Sequence, residues 1–285
     1  MKKRRGYMLT AAVLACCMSI AGCAADAPAP AAPHEFRQPA CITVQSPAAL
    51  TELTAGALCG AEQSLTVQVP FGDAETIGAC MEAARSRSIL TRTGLTALDW
   101  TWTDGLLECR FTYGTEDSAL LRREKAELAL YAAEFSASAA DFTPQARTLL
   151  AHDRLLRCCC FEAGAPQGDS AAGALLLHAA ECGGYAEGFA LLAEFGGLPC
   201  MILTGTANGM PHAWNLVQLD GAWYHIDCAW DDADGADAHA YFLRDDAAMR
   251  ETHAWDAAAY PAAQGGKYSY DTVIAEMTAD AAANR

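Results

Sequence analysis

Positive charge is scarce in this chain. Lys and Arg number 19 against 35 Asp and Glu, for a net charge of −16. That balance argues against a general nucleic-acid binder, which presents basic patches to phosphates. Long apolar runs are scarce too. The run near the N-terminus, Met8 to Gly22, is about 15 residues, short for a membrane-spanning helix. The chain has 13 cysteines but no Cys-x-x-Cys spacing, so the usual zinc-ligand pattern is missing and no metal is implied. No internal repeat stands out. The 285 residues are enough for one large or two modest domains with real cores.

What is present begins with an export signal. Lys2-Lys3-Arg4-Arg5 precede the apolar run, which ends Ile20-Ala21-Gly22-Cys23. This ending resembles a bacterial lipobox. It implies a signal peptide over 1–22 and a mature N-terminus lipidated at Cys23, hence an extracytoplasmic, membrane-anchored protein. Residues 23–40 are rich in Ala and Pro and read as a semi-rigid tether. Residues 41–140 read as a small α+β region without a catalytic signature. It has a strand over Ser64–Pro70, a helix over Asp73–Arg87 and a hairpin around Asp104-Gly105. A helix over Glu116–Phe135 follows. Phe142 to Phe161 reads as a helix opening a second domain over 141–285. It contains the run Cys158-Cys159-Cys160.

Three short segments in that domain carry chemistry. They present Cys182, His212 and Asp227, the parts of a cysteine nucleophile with its base and orienting carboxylate. Gly183-Gly184 follow Cys182, and Tyr185 to Phe195 reads as a helix stopped by Gly196-Gly197. Cys182 thus falls at a helix start, where unpaired N–H groups and the positive dipole end favour a thiolate. Its own backbone N–H could donate to an oxyanion.

Ala213–Leu219 and Ala222–Ala229 read as strands joined at Asp220-Gly221, a strong hairpin signal. With a two-residue turn, 219 faces 222 and 212 faces 229. Period-two alternation then puts His212 and Asp227 on one face as diagonal neighbours; a four-residue loop would set them directly opposite. His225 shares that face and is a rival imidazole. Trp214 and Asn215 lie close by, with no second oxyanion donor identified. Asp231, Asp232, Asp234 and Asp237 read as a solvated acidic loop rather than a calcium site. His178, His239 and His253 have no partner argument.

Together the segments resemble the transglutaminase-like superfamily. Its pattern of Cys-x-Gly-Tyr-Ala, His-Ala-Trp-Asn and Trp-Tyr-x-x-Asp-x-x-Trp-Asp-Asp is met at 182–186, 212–215 and 223–232. His152-Asp153-Arg154-Leu155 and Tyr241-Phe242 fit the flanking pattern, so the resemblance covers roughly residues 145–255. It favours His212 over His225 as the catalytic imidazole. It implies an α+β, papain-like core, with the nucleophile helix packed on an antiparallel sheet carrying His and Asp. It also implies acyl transfer through a thioester, with no cofactor.

One departure stands beside the nucleophile. Glu181 occupies a position that is often Gly or Val; a carboxylate close to a thiol raises its pKa, but adjacent helix-start residues usually point apart, so the expected effect is small. The function expected is a surface-tethered thiol enzyme acting on amide or peptide bonds, with hydrolysis favoured over transglutamination. Its substrate would be a peptide or protein, cell-wall peptides among the candidates. The alternative is a non-catalytic cell-surface or cell-wall binding module on the same fold. Apart from the signal cysteines, Cys23 and Cys182, nine cysteines remain. They are expected to be mostly buried free thiols, with room for one or two disulfides.

Overall fold

The computed structural model describes residues 42–232 and 238–283. The signal segment, Cys23, the tether, and Asp234 and Asp237 lie outside the described residues. Among the described residues no helix is long and apolar enough to cross a membrane. The described cysteines are free thiols. The chain divides between Ala126 and Glu127 into two compact units.

The first unit is a four-stranded sheet with helices. Strands β1 (Ile42–Thr43), β2 (Ser64–Gln68), β3 (Leu95–Thr103) and β4 (Leu106–Tyr113) are ordered β1-β2-β4-β3. The β3–β4 hairpin turns at Asp104 and Gly105, both at positive φ, as its two-residue loop requires. Helices α1 (Pro47–Cys59), α2 (Ala74–Arg85) and α3 (Ile89–Arg92) accompany the sheet. Alternate residues of the strands, such as Val67, Leu107 and Phe111, join Leu50, Leu58 and Ile77 in one core. Helix α4 (Ser118–Ala139) begins in this unit. There the buried Lys125 donates to the carbonyls of Leu58 and Leu90 at 2.7 and 2.9 Å.

The second unit holds the three motif segments. Helix α5 (Pro144–Cys158) is capped by Thr143, with Pro144 in its first turn. It ends sooner than its periodicity predicts. Cys159 is extended at its C-cap, and Cys160 begins strand β5 (Cys160–Phe161), parallel to β6 (Ala179–Ala180). The cysteine run therefore straddles a helix end rather than lying inside a helix. A π-helical turn (Gly173–Leu177) leads to α6 (Cys182–Phe195), which stops at Gly196 with Gly197 at positive φ.

A five-stranded antiparallel sheet follows. It is built from β7 (Cys200–Ala207), β8 (Met210–Leu219), β9 (Ala222–Ile226), β10 (Phe242–Arg244) and β11 (His253–Ala254). Their order is β10-β9-β8-β7-β11. Between β9 and β10 lies a short helix, α7 (Cys228–Asp231); α8 (Asp246–Met249) and α9 (Tyr270–Ala283) come later. Helix α6 packs on β7 and β8. This is the α+β arrangement expected, a nucleophile helix laid against an antiparallel sheet.

Candidate active site

Cys182 is the first residue of α6. Glu181 precedes it in extended conformation as the N-cap. The first N–H groups of the helix have no carbonyl partner within it, so they and the dipole face the thiol end. The position of Cys182 was thus readable from Gly183-Gly184 and the apolar spacing behind them. Gly184 is required sterically. A Cβ there would stand 2.3 Å from the carbonyl oxygen of Gly168 and 2.8 Å from the Ala180 Cβ.

The imidazole and carboxylate come from the β8–β9 hairpin. Asp220 and Gly221 both take positive φ, and Leu219 faces Ala222 while Asn215 faces Ile226. This is the two-residue-turn register, which sets His212 diagonal to Asp227. Strand β9 is shorter than expected, because Asp227 leaves the ladder to cap α7 instead of continuing to Ala229. One carboxylate oxygen of Asp227, Oδ1, accepts from the Trp230 N–H at 3.1 Å. The other, Oδ2, lies 2.7 Å from His212 Nε2. Nε2 being taken, Nδ1 is the ring nitrogen left for Cys182, whose thiol and the His212 imidazole influence each other's protonation.

The electrostatics follow from these contacts. The hydrogen bond to His212 is the largest influence on Cys182 and lowers its pKa. Partial burial opposes this, the Ala213 N–H assists, and the Asp169 carboxylate opposes. Burial by itself would depress His212, but its bonds to Asp227 and Cys182 outweigh that and push it up to about 9. Burial would likewise raise Asp227, which is 1 % exposed. The bonds from His212 and His253 prevail and hold its carboxyl below the usual range. The set favours a thiolate facing an imidazolium at neutral pH.

His225 is placed elsewhere. Its Nδ1 accepts from the Trp214 indole N–H at 2.9 Å, and its Nε2 lies 2.9 Å from Asp246. Both nitrogens are engaged, one within the sheet and one by α8, and burial keeps its pKa low. The same contact spends the Trp214 donor. Asn215 is spent too, its Nδ2 donating to the Ala186 carbonyl in α6 at 3.0 Å. Neither side chain is left to serve an oxyanion. The backbone N–H of Ala213 is the donor that faces the Cys182 sulfur.

Two site residues escape sequence reasoning. His253, on β11, places Nε2 3.0 Å from Asp227 Oδ2, so this carboxylate oxygen meets two imidazoles. His253 is buried against Trp214, Trp230 and Tyr241. It lies 26 residues from Asp227, and no local pattern connects them. Asp169 is the acid beside the thiol, not Glu181. The Glu181 carboxylate turns away to accept the backbone N–H of Gly164.

The acidic segment after Asp227 is structural. Asp231 is buried; it accepts the Tyr241 N–H at 2.8 Å and lies 3.0 Å from His152 Nε2. The neighbouring Asp232 accepts the Tyr185 hydroxyl. The expectation of a solvated loop fails for these two, because each closes a contact to α5 or α6. His152 meets a second carboxylate, Asp153, at 3.1 Å, and Asp153 also faces His239 at 2.9 Å. Among the described residues two triplets bring ligating atoms within 4.8 Å, His152–Asp153–His239 and His212–Asp227–His253. In both, nitrogen–carboxylate hydrogen bonds account for the closeness.

Residues 132–228 match the model of the transglutaminase-like superfamily. Among solved structures, one described as a TGase aligns with TM-score 0.32 and 13 % identity, over 58 % of this chain and 51 % of that one. A candidate cysteine protease from Cytophaga hutchinsonii aligns with TM-score 0.31 and 13 % identity, over 47 % and 61 %. The chain thus spans about half to three-fifths of their length. No curated protein matches it. The stretch that supplies Cys182, His212 and Asp227 lies within the match to the transglutaminase-like superfamily.

Proposed function

We propose that this chain is a surface-tethered thiol enzyme that cleaves amide bonds through a thioester on Cys182. The observation that carries the proposal is the 2.7 Å His212–Asp227 bond, with that imidazole the main influence on the thiol of Cys182 at the start of α6. The thiolate attacks the amide carbonyl carbon, and the oxygen takes the negative charge. The N–H groups of Ala213, Cys182 and Gly183 are the donors at hand for that charge. His212 gives its proton to the departing nitrogen, the C–N bond breaks, and the acyl group remains on sulfur. Water then attacks the thioester, with His212 as the base that takes its proton; the C–S bond breaks, sulfur leaves as the thiolate, and the thiolate–imidazolium pair is restored. Asp227 fixes the ring and supports its charge.

Water as acceptor is favoured because Cys182 is only partly buried, so solvent reaches the acyl carbon. An amine acceptor would use the same triad. The substrate is a peptide or protein reached outside the membrane. The tether is proposed from the lipobox-like Ile20-Ala21-Gly22-Cys23. Metabolic labelling with palmitate, lost in Cys23→Ala, would check it.

The test of the chemistry is the rate of Cys182 alkylation by iodoacetamide from pH 4 to 9, located by peptide mass mapping. Fast reaction at pH 5 to 6 that collapses in His212→Ala supports the proposal. A rate that rises only near the ordinary thiol pKa of about 8.5, unchanged by the substitution, would overturn it.

A further inference from the structure

The segment ahead of the nucleophile is stapled to the start of α6. The Gly168 carbonyl accepts from the N–H groups of both Glu181 and Gly184, at 2.8 and 3.1 Å. The Ala171 N–H donates to Glu187 at 3.1 Å, and Gly164 donates to Glu181. These bonds leave residues 168–171 little freedom, so the placement of Asp169 is set by the fold.

Its carboxylate lies against Gly183, the residue after Cys182. A Cβ on Gly183 would stand 2.6 Å from Asp169 Oδ1 and 3.2 Å from the Asp169 Cβ. Glycine at 183 therefore makes room for a carboxylate at the nucleophile. Asp169 is exposed, and among the described residues no hydrogen bond or ion pair engages it. A bare carboxylate there works against the thiolate, since it tends to raise the thiol pKa. A residue that opposes the resting nucleophile, yet is held in place by the backbone, calls for a partner supplied by the substrate.

We propose that Asp169 is a specificity-determining residue that pairs with a cationic group flanking the scissile amide, an ammonium or guanidinium on the neighbouring residue. This rests on the reading of Cys182 as the nucleophile. Pairing would also neutralise the charge that opposes the thiolate, so the substrate itself would favour the reactive form. The net charge of −16 attracts such substrates at longer range.

The test compares two methanethiosulfonate reagents of similar size, one bearing 2-aminoethyl and one 2-sulfonatoethyl, on the intact protein. Reaction at Cys182 is followed by peptide mapping. The ratio of the two rates at one pH cancels the thiolate fraction and isolates the local charge. At about 0.5 M salt the general field of the chain is screened over a few ångströms. The cation-to-anion ratio is expected to fall on the order of tenfold in Asp169→Asn and to hold in Glu162→Gln, a control at another exposed acid. An unchanged ratio in Asp169→Asn, or an equal fall in both variants, would overturn the proposal.

A second measurement addresses the substrate class. N-acetyl-lysine methylamide should protect wild-type Cys182 from iodoacetamide several-fold better than the norleucine analogue, and equally well in Asp169→Asn. Equal protection in the wild type would overturn the assignment. Failure of the triad reading looks different: the neutral reagent would react slowly at pH 6 whatever the charge ratio.

Discussion

At the residue scale the site turns on one carboxylate. Asp227 caps α7 with Oδ1 and meets His212 and His253 with Oδ2. Asp227→Asn should slow alkylation at pH 6 by roughly tenfold or more, since the imidazolium loses its counter-charge. The same pH series, read at pH 6, checks it. His253 is a positioning residue, and its bond helps hold the Asp227 carboxyl low. In His253→Phe that carboxyl should protonate sooner on acidification. The acid limb of the alkylation profile is then expected to move up by about one pH unit. A uniform drop at every pH would mean that His253 acts only through packing.

At the element scale the starts and turns were legible and the ends were not. Asp220-Gly221 marked the hairpin, because aspartate and glycine at positive φ leave a local signature, and Gly183-Gly184 with the apolar spacing behind them marked the beginning of α6. The end of β9 left none. Residues 227–229 alternate as a strand would, yet Asp227 satisfies the Trp230 N–H and starts a helix instead. The end of α5 was missed for a similar reason. Pairing of Cys160 and Phe161 with Ala179 and Ala180 captures the cysteine run in a strand against its helical pattern.

Close approach at the start of α6 also gives a stability prediction. Gly184→Ala forces a methyl against the Gly168 and Ser170 carbonyls and Ala180. It should cost about 1–3 kcal/mol, read as a lower urea midpoint at unchanged m-value. An unchanged midpoint would show that the 168–170 segment yields, and would weaken the placement of Asp169.

At the scale of the whole molecule, the buried charges set the acid limit. The Asp227 carboxyl is held below its unfolded value, so its contribution to stability is complete above an unfolded pKa of about 3.9. It is lost as pH falls through the folded value. The stability gap between wild type and Asp227→Asn should therefore narrow below about pH 4. Calorimetry of both from pH 7 to 3 would show converging melting temperatures. Parallel curves would mean that the carboxylate is not held in its charged form by folding.

The sequence by itself determined the candidate carriers of the proposed chemistry. Thiol, imidazole and carboxylate sit in segments whose helix start, turn and period-two alternation are local properties of the chain. Because a hairpin register follows from its turn, even the meeting of His212 with Asp227 could be worked out before any coordinates. Only the tertiary structure decided what surrounds them. His253 and Asp169 reach the site from a distant strand and a stapled loop, and the donors of Trp214 and Asn215 are spent on His225 and Ala186. Those contacts join residues about 10 to 30 positions apart through packing, and packing leaves no period in the sequence to read.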